Sequence, residues 1–300
     1  MGRISEVGRA LRARRFGQVG RISEVGRALR ARQIGRGRPP APRPAPAFRL
    51  RLIGGGEEFR LRLPPSTLSP LFPMARYSRM QVLTTIYDTS VVPVFYHPDF
   101  ETAKHVVAAI SRGGCKLVEF VNRGDHAWQV FSELERHFMH ADPSLILGVG
   151  SIVEPYTAAL YLNCGANFVV GPSLNADVAK LCNRRMIPYS PGCGSASEIS
   201  DAQELGCEIV KMFPGKEVGG PGFVKNVLGP MPWTKLMPTG GVESTEESLT
   251  AWLGAGVAAM GMGSNLVTKE MLAQKDWAAI EENVRATLAR VKAIKAKLRG

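Results

Sequence analysis

No lysine occurs in the first 73 residues, which hold sixteen Arg and four Glu and account for the chain's whole net charge of +12. Residues 74–300 carry 22 basic and 22 acidic side chains and balance to zero. A body with no excess of either sign offers no electrostatic reason to bind nucleic acid or a membrane surface. Cysteine is scarce: Cys115, Cys164, Cys182, Cys193 and Cys207 are an odd number, none at C-x-x-C spacing. That argues against a disulfide framework and a zinc site, and for a reducing compartment such as the cytoplasm. No run of eighteen apolar residues exists, so no membrane-spanning helix is expected. The N-terminus lacks a secretory apolar stretch. No Gly-x-Gly-x-x-Gly follows the first candidate strand, which counts against a dinucleotide-binding open sheet.

The Arg-rich start is a tandem duplication. Residues 2–14 recur at residues 20–32, and a Pro-rich linker follows over 38–46. A basic arm or an organelle transit peptide would have such a composition. The fresh duplication, the absence of lysine and the sequence Met74-Ala75-Arg76-Tyr77 favour translation from an upstream start, with Met74 or Met80 as the natural one. The leader, residues 1–73, is expected to be disordered. Residues 74–300 are expected to form one domain.

Within that domain short apolar runs alternate with amphipathic stretches. Strands are expected at 91–96, 116–121, 145–150, 167–170, 186–190, 208–213, 235–237 and 257–260. Helices are expected at 100–112, 127–140, 155–164, 177–184, 196–205, 245–253 and 277–298, with Asp99, Glu154, Asn175 and Ser244 as starts. Eight strand–helix units in such a length predict an α/β fold, a (β/α)8 TIM barrel. Chemistry in such a barrel sits at the C-terminal ends of the strands.

One lysine stands inside an apolar strand, Glu208-Ile209-Val210-Lys211-Met212-Phe213-Pro214. Burying an ammonium is costly, so Lys211 is either paired, functional, or snorkelling out at the strand end. Buried lysines that shed a proton are the usual Schiff-base nucleophiles. Glu119, among Leu117, Val118 and Phe120, should have a raised pKa, as suits a general acid/base. Equally, it could simply pair with Arg123 or Lys211. Arg123, just past a strand end, has the fork to hold a carboxylate. Gly240-Gly241 and Gly263-Ser264 follow the last two strands, the usual phosphate position, although isolated glycine pairs are often only turns. His137 and His140 share a helical face without convergent carboxylates or cysteines, so no metal site is expected there.

Taken together, Leu117-Val118-Glu119-Phe120-Val121-Asn122-Arg123, Gly148-Val149-Gly150-Ser151, Val210-Lys211-Met212-Phe213-Pro214, Pro238-Thr239-Gly240-Gly241-Val242 and Gly263-Ser264 resemble the 2-dehydro-3-deoxy-6-phosphogluconate (KDPG) aldolase / 4-hydroxy-2-oxoglutarate (KHG) aldolase family. The resemblance spans residues 82–270. It implies a class I aldolase on a TIM barrel, a homotrimer needing no metal or cofactor. The activity implied is cleavage of 2-dehydro-3-deoxy-6-phosphogluconate to pyruvate and glyceraldehyde 3-phosphate, an Entner–Doudoroff step, with 4-hydroxy-2-oxoglutarate as a second substrate. By motif, Lys211 matches the Schiff-base lysine, Glu119 the acid/base and Arg123 the pyruvate-carboxylate ligand. Pro172, Phe213 and Thr239 match residues lining the pyruvate end, and Ser151, a substrate-binding candidate, departs from the family's frequent Thr but keeps the hydroxyl. Gly240, Gly241, Gly263 and Ser264 match the phosphate loops. Pro191-Gly192-Cys193-Gly194 and Phe213-Pro214-Gly215-Lys216-Glu217 depart from better-known members and leave the sugar specificity open. The rival readings are a thiamine phosphate synthase-like barrel enzyme, which needs acidic metal ligands, and a non-enzymatic sugar-phosphate sensor.

Overall fold

Apolar runs too short for helices become strands, and the amphipathic stretches between them become the covering layer. The computed structural model describes residues 75–299. The 1–73 leader, its duplication and its expected disorder lie outside the described residues, as does Met74. The strands are β1 (Val91–Phe95), β2 (Leu117–Val121), β3 (Ile146–Gly150), β4 (Val169–Val170), β5 (Tyr189–Ser190), β6 (Gly192–Cys193), β7 (Val210–Met212), β8 (Leu236–Pro238) and β9 (Met260–Met262). All pair in parallel, in the orders β5-β4-β3-β2-β1-β9 and β6-β7-β8. Pro191 has no N–H to donate, so it breaks one strand position into β5 and β6. A bridge between Thr239 and Gly261 links the end of β8 to β9. The result is a curled parallel sheet with helices outside it, a TIM-like α/β fold.

The helices are α1 (Arg79–Thr89), α2 (Phe100–Arg112), α3 (Ala127–Ala141), α4 (Pro155–Asn163), α5 (Ala176–Arg184), α6 (Ala196–Glu204), α7 (Gly220–Leu228), α8 (Glu246–Gly254), α9 (Lys269–Ala273) and α10 (Trp277–Arg299). Asp99, Glu154 and Asn175 are N-caps as expected, each side chain accepting from backbone N–H groups of its first turn. Ser244 is not a cap. Thr245 takes that role and accepts from the Ser248 N–H. The strands differ from expectation in their bounds: the first three by one residue at one end, while the fourth begins only at Val169 and the sixth is Val210–Met212. The fifth begins at Tyr189, because Met186 is left-handed (φ 54°) and exposed, ending a turn. The seventh lies one residue later than expected, at Leu236–Pro238. The last is Met260–Met262, with 257–259 as a lead-in held by the Ala258 N–H on the Leu236 carbonyl, 2.9 Å.

Three helices, α1, α7 and α9, have no counterpart in the sequence expectations. α1 starts in a capping box: Ser78 accepts from the Gln81 N–H, and Gln81 reaches back to the Ser78 N–H. It covers the N-terminal strand ends. Arg79 grips Glu208 through two hydrogen bonds (2.6 and 2.8 Å), Asn183 Oδ1 (2.8 Å) and the Gly206 carbonyl (2.7 Å), all just before β5 or β7. Arg76 reaches Glu135 at 2.7 Å and the Leu145 carbonyl at 3.1 Å, ahead of β3.

Candidate active site

Strand alternation decides which side chains enter the barrel. Phe120 on β2 packs outward on Phe131 of α3, ring centroids 6.2 Å apart. Its neighbour Glu119 therefore points inward. It is 1 % exposed, and its Oε1 fills the space a Cβ would need at Gly150 on β3. Its Oε2 is buried with no hydrogen-bond partner. Desolvation pushes the Glu119 carboxyl above the ordinary carboxylate range, and the Lys211 charge works against that shift. The carboxylate and the lysine thus face the same interior, which the sequence alone left as a question of register.

Lys211 sits mid-β7 and is 5 % exposed. Its backbone is held by the Pro191 carbonyl, 3.0 Å from its N–H. Its ammonium lies 4.9 Å from the centre of the Phe213 ring, two residues on and on the same face. No hydrogen bond or ion pair joins it to Glu119 among the described residues.

The remaining candidates stand at the same ends of the strands. Ser151 follows β3 in a left-handed conformation, φ 59°. Pro172 follows β4, and its carbonyl occupies the space of a Cβ at Gly192. Thr239 follows β8; its Oγ1 is buried without a partner and packs where Gly261 lacks a Cβ. Gly240 and Gly241 both have positive φ, 92° and 72°, which a side chain would resist. Gly263 and the exposed Ser264 follow β9. Arg123 is exposed in the loop after β2 and makes no hydrogen bond or ion pair with Glu119 among the described residues. The strand ends thus assemble Glu119, Lys211, Phe213 and Thr239 at one mouth and leave Arg123 at the rim.

Sequence reasoning misses two supporting residues. Asn265 Nδ2 donates to the Val242 carbonyl at 2.8 Å and ties the loop after β9 to the loop after β8. A polar residue next to Gly263-Ser264 was its only signal. Tyr161, buried on α4, donates to Asn122 Oδ1 at 2.9 Å and steadies the residue before Arg123. Nothing in its sequence neighbourhood marks that role.

This geometry is that of a carbonyl-handling site: an amine and a protonatable carboxyl in an apolar barrel mouth, flanked by glycine loops suited to an anion. The profile of the KDPG and KHG aldolase family matches residues 82–283. The 2-dehydro-3-deoxy-phosphogluconate aldolase of Haemophilus influenzae is 27% identical over 217 residues, 72% of this chain and 99% of that protein. The enzyme of the same name from Pseudomonas aeruginosa is 31% identical over 182 residues, 61% and 80% of the two chains. Among solved structures, KDPG aldolase from Legionella pneumophila, with pyruvate captured as a covalent carbinolamine, superposes with TM-score 0.63 at 26% identity, covering 68% of this chain and 97% of that one. A thiamine phosphate pyrophosphorylase from Pyrococcus furiosus, TM-score 0.51 at 14% identity, shares the fold alone. Strand-end chemistry, matched profile and full-length relatives agree: the chain belongs to the KDPG and KHG aldolase family.

Proposed function

We propose that the chain is a Schiff-base aldolase built on a closed (β/α)8 barrel, cleaving 2-dehydro-3-deoxy-6-phosphogluconate to pyruvate and glyceraldehyde 3-phosphate. 4-Hydroxy-2-oxoglutarate, giving pyruvate and glyoxylate, is its second substrate. The observation that carries this reading is the pairing of a buried Lys211 with a buried Glu119 whose carboxyl is raised by desolvation and feels the lysine charge. Two such groups in one interior have little structural use, since neither makes the other an ion pair, yet together they supply a nucleophile and a proton carrier.

In this reading Lys211, as the free amine, adds to the C2 carbonyl. Glu119 carries protons through the carbinolamine, water leaves, and the iminium forms. Glu119 as carboxylate then takes the C4 hydroxyl proton. The C3–C4 bond breaks, its electron pair flows into the iminium as an enamine, and the aldehyde departs. Protonation at C3 and hydrolysis of the iminium release pyruvate and restore the amine. The protonated imine is the electron sink, so this sequence uses no metal. Phe213, Thr239, Pro172 and Ser151 line the pyruvate end, and Arg123 closes on the carboxylate from the rim. Gly240, Gly241, Gly263 and Ser264 receive the phosphate through N–H groups and a hydroxyl.

The chain works as a homotrimer in the cytoplasm. Tyr156, 84 % exposed, lies with Val153 and Leu160 on and before α4, an apolar surface that a second copy would cover. No described helix is long and apolar enough to cross a membrane, and all five cysteines are free. Sedimentation velocity on residues 74–300 should give a trimer, and a monomer would remove this part of the proposal. The chemistry is tested by incubation with pyruvate and sodium borohydride followed by peptide mapping. A reduced pyruvate adduct on Lys211 is expected. A folded protein that stays unlabelled would defeat the aldolase reading.

A further inference from the structure

The segment after β7 carries a cation that the aldol chemistry leaves unused. Lys216 is exposed, and its ammonium forms no hydrogen bond or ion pair among the described residues. Its backbone is held firmly. The Gly215 N–H donates to the Thr239 carbonyl at 2.9 Å, and the Lys216 N–H to the Gly240 carbonyl at 3.2 Å. These two bonds lay the start of the β7–α7 connection flat against Thr239-Gly240-Gly241.

The side chain then runs across Gly241. A Cβ on Gly241 would overlap Lys216 Cβ and stand 3.2 Å from its Cγ and Cδ. Gly241 also has φ 72°. Both the backbone conformation and the lysine stem require glycine there. The ammonium, two bonds beyond Cδ, is thereby delivered to the glycine loop assigned above to phosphate. A phosphate held only by backbone N–H groups and the Ser264 hydroxyl has dipoles around it but no full counter-charge. A flexible ammonium is a common way to supply one. The acids close in sequence, Glu217 and Glu243, are both exposed, and neither pairs with Lys216.

We propose that Lys216 is the cation that recognises the substrate phosphate and so sets the preference for 6-phosphorylated over unphosphorylated 2-keto-3-deoxy sugar acids. The inference rests on the aldolase reading and on phosphate binding at Gly240-Gly241. It also gives a role to one of the segments that departs from better-known relatives.

The test compares kcat/KM for 2-dehydro-3-deoxy-6-phosphogluconate with that for the same sugar acid lacking phosphate, in wild type, Lys216→Gln and Lys216→Arg. Loss of one charge-assisted contact should lower the phosphorylated-to-unphosphorylated ratio about tenfold in Lys216→Gln, mainly through KM. Lys216→Arg should recover most of it. Added salt should erode the wild-type ratio more than that of Lys216→Gln. A ratio that Lys216→Gln leaves in place, or an equal loss on both substrates, overturns the inference. Pyruvate trapping on wild type separates the two ideas. An unlabelled Lys211 sinks the aldolase reading and this inference with it, whereas labelling with an unmoved ratio sinks this inference alone.

Discussion

The two ends of the barrel treat their carboxylates in opposite ways. Glu119, toward the C-terminal strand ends, is buried with an oxygen left unpartnered, and its carboxyl is pushed upward. Asp142, just before β3 at the other end, is also penalised by burial, but Ser111, Ser144 and Lys116 all donate to it. Those hydrogen bonds outweigh the burial and hold it well below the usual range. The same contrast runs through the neighbours. Arg79 fills its donors on Glu208, Asn183 and Gly206, whereas Thr239 Oγ1 and the Lys216 ammonium have no partner among the described residues. Arg76 Nη1 is the exception at the N-terminal end, buried and unpaired. Satisfied polar groups stabilise a fold, and unsatisfied ones held in a rigid frame are kept for something that binds. One end of this molecule holds the structure together, and the other carries the groups proposed to do chemistry.

The largest effect tests that division at its centre. Lys211→Met removes the proposed nucleophile and should lower cleavage by roughly 10^4-fold while abolishing pyruvate labelling. Cleavage near the wild-type rate would break the assignment. Glu119→Gln keeps the shape and should lower kcat by about 10^2–10^4-fold.

The same variant separates the two carboxylates by pH. The folded state holds the Glu119 proton more tightly than the unfolded chain does. Wild type should therefore lose stability relative to Glu119→Gln as pH rises from the ordinary carboxylate range through the raised folded value. Asp142 has the opposite sign. Its contribution is complete above the ordinary carboxylate pKa and is lost as pH falls toward its depressed folded value, so Asp142→Asn should flatten the acid side of the melting-temperature profile. Profiles that move together, or in the reverse order, would contradict the contrast drawn here.

The smallest effect lies wholly at the stabilising end. Arg79→Ala should cost about 1–2 kcal/mol in urea unfolding with kcat unchanged. Most of that loss belongs to the bonds to Asn183 and Gly206, since Glu208 is 41 % exposed and solvent screens the ion pair. Removal of residues 1–73 should leave the melting temperature in place, while a chain beginning at Met80 loses the Ser78 cap, Arg76 and Arg79 and should melt lower. Equal melting of the two truncated chains would show that the clamp contributes nothing.

How much of this could be read beforehand depends on the kind of signal. Asp99, Glu154 and Asn175 were legible as caps because a cap is a local bond between a side chain and the next turn. α1 was not read: Ser78 and Gln81 carry its cap signal, but its sequence RMQVLTTIYDT mixes β-branched residues into a weak helical stripe and hides the pattern. The offset of the last strand comes from ladder partners. Ala258 is engaged by Leu236 and Met260 by Ser90, far away in sequence.

The sequence by itself determined the alternation of strand and helix, the candidate residues and their order along the chain, because periodicity, capping and strand-end position are properties of neighbouring residues. Whether Lys211 and Glu119 share an interior, and whether Lys216 meets Gly241, only the tertiary structure decided. Strand register and loop docking are set by backbone hydrogen bonds between segments tens of residues apart, and a shift of one residue would have turned each side chain to the opposite face.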